Sequence, residues 1–244
     1  MKFRYLSLWF CATLILATQS CKKDDKSPDQ DSSCQLISIE SFGQHVSFRY
    51  DESGRVAEVG GDLDHTLTYE SGRILITEGD YTDSYRLNEE GLVTESILYT
   101  ENGQPFTGTY TYEDGYLKQI EYDGEAVYHA TITFEYENGN ISNIIHWDEF
   151  IEEPQYVNVT YQNDQAYVPY SLLAAEDALV FWEQEMLLYE QGYMGKVIKN
   201  RIETTTVDEL VYTEDERGNV VTIENIAVVN EESPRFFNYE YSCE

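Results

Sequence analysis

Six times along the chain, an alternating segment carrying Tyr, Phe or Leu runs into a turn that ends in Gly. Phe48-Arg49-Tyr50 meets Gly54, Leu67-Thr68-Tyr69 meets Gly72, Tyr85-Arg86-Leu87 meets Gly91, Tyr110-Thr111-Tyr112 meets Gly115, Phe134-Glu135-Tyr136 meets Gly139, and Tyr212 meets Gly218. Residues two apart share one face of a strand, so each segment presents an aromatic face and a polar one. Tight hairpin turns need a residue that accepts positive φ, and the Gly supplies it. The unit is a β-hairpin, and its repetition limits the fold more than any other feature.

Past the turns, aliphatic residues recur three apart: Leu117 with Ile120, Ile141 with Ile144, Val220 with Ile223. That spacing breaks strict alternation. Either a bulge realigns the pairs or both faces carry apolar cover. The turn glycines at 54, 72, 91, 115 and 139 lie 18, 19, 24 and 24 residues apart, about two short strands and two turns each. An antiparallel meander with one aromatic face must curl on itself or lay that face over something.

One stretch has a different period. From Ser171 to Gly192, Leu172, Ala175, Leu179, Trp182, Met186 and Tyr189 recur at gaps of three and four, with Leu173, Val180 and Leu187 as a second stripe. This predicts an amphipathic helix over about 171–191, started after Pro169 and stopped at Gly192, that packs across the mouth or concave face of the curled sheet. Docking on a membrane is the other use of such a helix, but Glu176, Asp177, Glu183, Glu185 and Glu190 disfavour anionic lipid. The expected fold class is all-β: an antiparallel meander curled into a soluble barrel or half-barrel, with one inserted amphipathic helix. The expected strands, six to eight residues long, are shorter than the roughly nine to eleven of a tilted membrane strand.

The N-terminus carries Lys2 and Arg4, an apolar run from Leu6 to Leu16 and a short polar exit to Cys21. This reads as a signal peptide over 1–20, with an apolar core too short to span a bilayer. The small residue before Cys21, and Lys22-Lys23-Asp24-Asp25 after it, resemble a bacterial lipoprotein signal and the charged export tag of Bacteroidetes-type surface lipoproteins. Cys21 is then the lipid attachment site; the alternative is ordinary signal-peptidase cleavage that leaves a thiol. Residues 21–33 are polar and charged and read as a disordered linker, and 34–244 as one β-hairpin-repeat domain. Cys34 and Cys243 flank that domain in an exported chain, so they pair as a disulfide or stay as two buried thiols. The predicted location is the outer membrane, lipid-anchored and surface-exposed, with no contact to the bilayer beyond the anchor.

The chain holds 15 Lys+Arg against 46 Asp+Glu, a formal charge of −31. Such a field excludes nucleic acid as a partner. The histidines His45, His65, His129 and His146 show no metal-ligand spacing, and no Gly-x-Ser-x-Gly elbow or Cys–His nucleophile is present. No catalytic residue, metal or cofactor is assigned. The candidate ligand-binding residues are Trp147, Asp148, Glu149 and Phe150, with Glu152 and Glu153 following. An aromatic plate beside carboxyl groups suits a sugar ring or a basic peptide; the structural alternative puts Trp147 in the core at a strand end.

The hairpins resemble a Bacteroidetes-type lipoprotein family of unknown function with a porin-like fold, whose units echo the tyrosine-aspartate repeats of large secreted bacterial proteins. Tyr50-Asp51-Glu52-Ser53-Gly54-Arg55 is the nearest segment to that repeat. Gly192-Tyr193-Met194-Gly195-Lys196, with Lys199-Asn200, is similar to the segment that follows the family's helix. The resemblance implies a fold and an envelope location and attaches no activity. Two uses follow. The first is a non-catalytic envelope lipoprotein whose curved sheet binds a glycan, a peptide or an envelope protein. The second is a carrier of an apolar ligand inside a barrel cavity, which requires a hollow interior.

Overall fold

The computed structural model describes residues 34–243 apart from 42, 101, 126, 128, 179–182 and 228–232. The signal, Cys21 and the linker lie outside the described residues, as do Leu179, Val180 and Trp182 of the predicted helix stripe. Seventeen strands run through the described residues. They are β1 (Cys34–Ser41), β2 (Gln44–Tyr50), β3 (Val56–Gly61), β4 (His65–Glu70), β5 (Arg73–Glu78), β6 (Tyr81–Leu87), β7 (Val93–Tyr99), β8 (Pro105–Glu113) and β9 (Tyr116–Asp123). β10 (Ala130–Glu137), β11 (Asn140–Asp148), β12 (Gln155–Asn158), β13 (Thr160–Ala166), β14 (Asn200–Thr204), β15 (Asp208–Glu214), β16 (Val220–Ala227) and β17 (Arg235–Cys243) follow.

Every pairing is antiparallel, and neighbours in sequence are neighbours in the sheet from β1 to β12 and from β13 to β17. β1 pairs with both β2 and β17, which closes the sheet into a barrel. The thinnest part is the seam at Val159. There β12 pairs back to β11, β13 pairs forward to β14, and a single register pair, Thr204 with Glu209, holds β14 to β15. A disulfide joins Cys34 to Cys243, residues paired across β1 and β17 with Cα atoms 4.0 Å apart.

The three-residue spacing is explained by bulges. In five of the hairpins the register skips one residue shortly after the turn: Ala57, Thr94, Lys118, Ser142 and Val221. Each skip lets the residues on either side, such as Leu117 with Ile120 or Ile141 with Ile144, both point inward, where all four are buried. The turns at Asp114-Gly115 and Asn138-Gly139 have both central residues at positive φ, 54° then 80° and 54° then 84°, the two-residue turn whose twist matches the flanking strands. Repeat tyrosines clamp the neighbouring unit. Tyr50, Tyr69 and Tyr112 donate to the carbonyls of Leu36, Val56 and Val93 at 2.8, 2.7 and 2.6 Å.

Polarity alternates cleanly through the wall. Phe106, Gly108 and Tyr110 of β8 face in, while Thr107, Thr109, Thr111 and Glu113 face water. The same holds for Ile132 and Phe134 against Glu135 on β10. A barrel that spans lipid shows an apolar band outside and polar groups inside. This one has the reverse arrangement.

About eight strands enclose a space that side chains alone can fill, whereas sixteen or more leave a channel. Here the chain fills its own lumen. A 3-10 segment, Ser171–Ala178, broken at Ala175, is followed by helix α1 (Glu183–Glu190), so the helix predicted over 171–191 is in two pieces. Its neighbours come from all round the wall. Phe48 of β2 packs its ring at a tilt against Tyr170 with centroids 4.7 Å apart, Tyr69 of β4 bonds Gln191 at 2.8 Å, Asn225 of β16 bonds the Ala174 carbonyl at 2.5 Å, and Tyr239 of β17 bonds the Tyr170 carbonyl at 3.3 Å. Met186, Leu187, Leu188 and Tyr189 are consecutive and all buried, which only a helix enclosed on every side allows. Of the two predicted positions, the mouth and the concave face, the helix takes the second: it lies inside. It ends in a Schellman motif at Gly192, with Gly192 N–H to Tyr189 and Tyr193 N–H to Leu188, both 2.9 Å.

Candidate functional site

The interior carries a polar centre beneath β8 and β9. Tyr110 and Tyr122, inward on β8 and β9, both donate to the carboxyl of Glu185 on α1, and the Tyr110 hydroxyl also lies 2.9 Å from Ser96 Oγ. Glu185 is fully buried. Gly108 makes the room, since a Cβ there would sit 2.5 Å from Ser96 Oγ and 2.8 Å from Tyr110 Oη. Burial, with the Glu185 carboxyl as a second cause, drives the Tyr110 and Tyr122 hydroxyls well above the usual tyrosine range, so they stay protonated donors. The arrangement is an anchor for the helix, closed to solvent.

A second anchor sits at the helix end. Tyr167 donates to Glu190, whose carboxyl is enclosed although the residue keeps some exposed surface, and burial pushes its pKa up to about 8. The folded chain thus holds a proton between pH 4.5 and 8 that the unfolded chain has released. This contribution to stability is complete below pH 4.5 and is lost as pH rises through 8, at up to about 1.4 kcal/mol per pH unit. Glu190→Gln keeps the hydrogen-bonding head and removes the charge. We expect its melting temperature to match the parent near pH 5 and to exceed it by about 5 °C at pH 8.5, a gap scaled down for the partial exposure of the residue. Melting curves across pH check this; a gap independent of pH contradicts it.

The residues singled out in the sequence lie at the far end of β11. The bulge at Ser142 sets their direction. Ile144 is buried and His146 pairs with inward Ile132, so Ile145 and Trp147 face outward, opposite Thr133 and Thr131. Trp147 is half-buried on the outer wall with its ring 6.0 Å from that of His129, which corrects the alternative that placed it in the core. Asp148 takes a structural role as well: its Oδ1 accepts the N–H groups of Phe150 at 2.7 Å and Ile151 at 3.2 Å and so shapes the turn. Phe150 stands 66% exposed, and Glu149, Glu152 and Glu153 are exposed beside it.

Two members of this patch were missed in the sequence. Tyr156 of β12, 55% exposed, pairs with Ile145 and so joins the same outer row. The result is a strip of Ile145, Trp147, Phe150 and Tyr156 with an acidic border, beside the seam where β12 breaks from β13. The signal for Tyr156 was a Tyr two residues past Pro154, readable only once the β11–β12 register was known. The four histidines do not converge: His45 and His129 are exposed, His65 is buried, and His146 lies 3.9 Å from Asp148. Among the described residues no group of three His, Cys, Asp or Glu is placed to hold a metal ion.

A nearly closed antiparallel barrel with a water-facing outer wall and its own helix as a plug defines a class of porin-like architecture. Residues 37–222 match the family described as "Domain of unknown function (DUF4595) with porin-like fold", and the chain belongs to that family. Its fold is similar to that of a porin-like protein from Bacteroides uniformis, with a TM-score of 0.64 and 18% identity over 86% of this chain and 95% of that one. A porin-like protein from Bacteroides vulgatus gives a TM-score of 0.62 and 14% identity over 85% of this chain and 98% of that one. No curated protein matches the chain. The family description carries a fold and no activity.

Proposed function

We propose that the chain is a non-catalytic envelope lipoprotein, tethered through Cys21, whose barrel presents the Trp147 strip to a basic, extended peptide segment of an envelope partner. The observation that carries this is the placement of the strip. Trp147, Phe150 and Tyr156 lie on the outer wall at the mouth opposite the Gly turns, and both Cys34 and Cys243 lie at the turn mouth. A tether entering at Cys34 leaves the strip at the end away from the membrane. Its acidic border, in a chain of charge −31, favours cationic side chains, and half-buried Trp147 and exposed Tyr156 offer faces for them. The short β12 beside the seam offers an edge for strand addition.

The carrier reading has less support. An apolar ligand would need the space that α1 occupies, and the centre of that space is a Glu–Tyr network rather than an apolar hollow.

The test is an array of Lys- and Arg-rich peptides probed with the purified domain. Binding is expected for the parent and at least tenfold weaker for Trp147→Ala, which should shift the melting temperature by less than about 2 °C because the ring sits on the outer wall. Capture of neutral glycans by the same strip would redirect the partner class. Equal binding by parent and variant would reject the strip as the site.

A further inference from the structure

We propose that the pocket between the β2–β3 turn and the two ends of the internal helix binds one neutral pyranose ring, stacked on tyrosine and held at its edge by Arg55. The pocket, about 280 Å³, opens at the turn mouth and is lined by Tyr50, Tyr170, Tyr193, Arg55, Glu190 and Gln191, with Gly54 and Val56. None of these belongs to the Trp147 strip, so the inference does not depend on the function proposed above.

Three features mark a built site. Tyr170 adopts φ 61°, a left-handed backbone that a bulky residue takes only under constraint, and such outliers gather at ligand sites. Its ring is fixed against Phe48 and its carbonyl accepts from Tyr239, so the strain holds a ring in the wall of the pocket. Arg55 is set in advance: Nε and Nη2 donate to Asp51 at 2.8 and 2.6 Å, and its guanidinium lies 4.0 Å over Tyr69. Two of its five N–H groups go to Asp51. Gln191 is locked as well, accepting from Val56 N–H and Tyr69 and donating to Leu187.

Charge selects the ligand. Arg55 at the rim opposes a cation, and the Glu190 carboxyl, protonated up to about pH 8, offers no counter-charge. An anion meets Asp51 and a chain of charge −31. What remains is a neutral ring with an apolar face for the tyrosines and hydroxyls at its edge, in a recess below the roughly 300–1,000 Å³ of drug-sized sites. A single pyranose has that shape and chemistry.

Saturation-transfer NMR with the methyl pyranosides of glucose, galactose and mannose tests this. At least one is expected to receive transfer, strongest at the C–H protons of one ring face. Arg55→Ala and Tyr193→Ala should each weaken binding at least tenfold, and Ile97→Ala, an exposed position on β7 outside the pocket lining, should leave it unchanged. Should Tyr193→Ala fail to fold, Tyr193→Leu keeps the bulk and removes the ring. A second arm uses neutral phosphatidylcholine vesicles carrying a glucosyl or galactosyl diacylglycerol; binding there alone means that the ring is presented by a lipid, and binding in either arm supports the site. No transfer and no vesicle binding, binding unaffected by both variants, or preference for tetramethylammonium would overturn it.

Discussion

Glu185→Ala is expected to cost about 3–5 kcal/mol, a large share of the 5–15 kcal/mol that holds a typical domain together. The carboxyl receives two buried hydroxyls, from Tyr110 and Tyr122, that lie on adjacent strands and 75 and 63 residues away in sequence. Truncation leaves Tyr122 without this acceptor, leaves Tyr110 with Ser96 alone, and opens a gap between helix and wall. Each stranded buried hydroxyl costs about 1–3 kcal/mol and the gap adds to it. For a chain of this size the melting temperature should fall by about 10 °C or more. Glu185→Gln, which keeps an acceptor in place, should fall by less than half of that. Calorimetry of the two variants decides; a shift below about 2 °C for Glu185→Ala would mean that the helix is not pinned there.

Opening the Cys34–Cys243 bridge should have the next largest effect. The bond closes a loop with a sequence separation of 209, and cross-links over long loops restrict the unfolded chain most, with about 2–4 kcal/mol typical. The β1–β17 ladder survives its loss, so the double Cys34→Ser, Cys243→Ser variant should fold and melt about 10 °C lower. The same shift should follow treatment of the parent with reductant. Identical melting with and without reductant contradicts the bridge.

Much of the wall was legible from residues alone. The aromatic alternation at Phe134-Glu135-Tyr136 and the Gly at 139 dictate a strand and a turn whatever surrounds them, and the structure has both. The bulges were half legible. The three-residue gap from Ile141 to Ile144 demanded one of two explanations, and only the register at Ser142 chose. That choice mattered for the site: counted by strict alternation from inward Ile141, Trp147 falls on the inner face, and the skipped residue turns it outward.

The helix was legible as a segment, and its location was narrowed to the mouth or the concave face. The pairings of Glu185 and Glu190 were not legible, because their tyrosine partners lie on strands or segments far along the chain. Local sequence carries no trace of such pairings. Tyr170 shows the same limit, since nothing in Val168-Pro169-Tyr170-Ser171 announces a bulky residue at positive φ.

The central claim is that a nearly closed barrel encloses helix α1. Hydrogen exchange of the backbone amides of residues 183–190 tests it most directly, because an exposed eight-residue helix in water is too short to protect itself. Exchange as slow as that of the central strands β8–β10, lost only with global unfolding, is the predicted result. Complete exchange of those amides within seconds while the strands stay protected would place the helix outside the barrel and contradict the account.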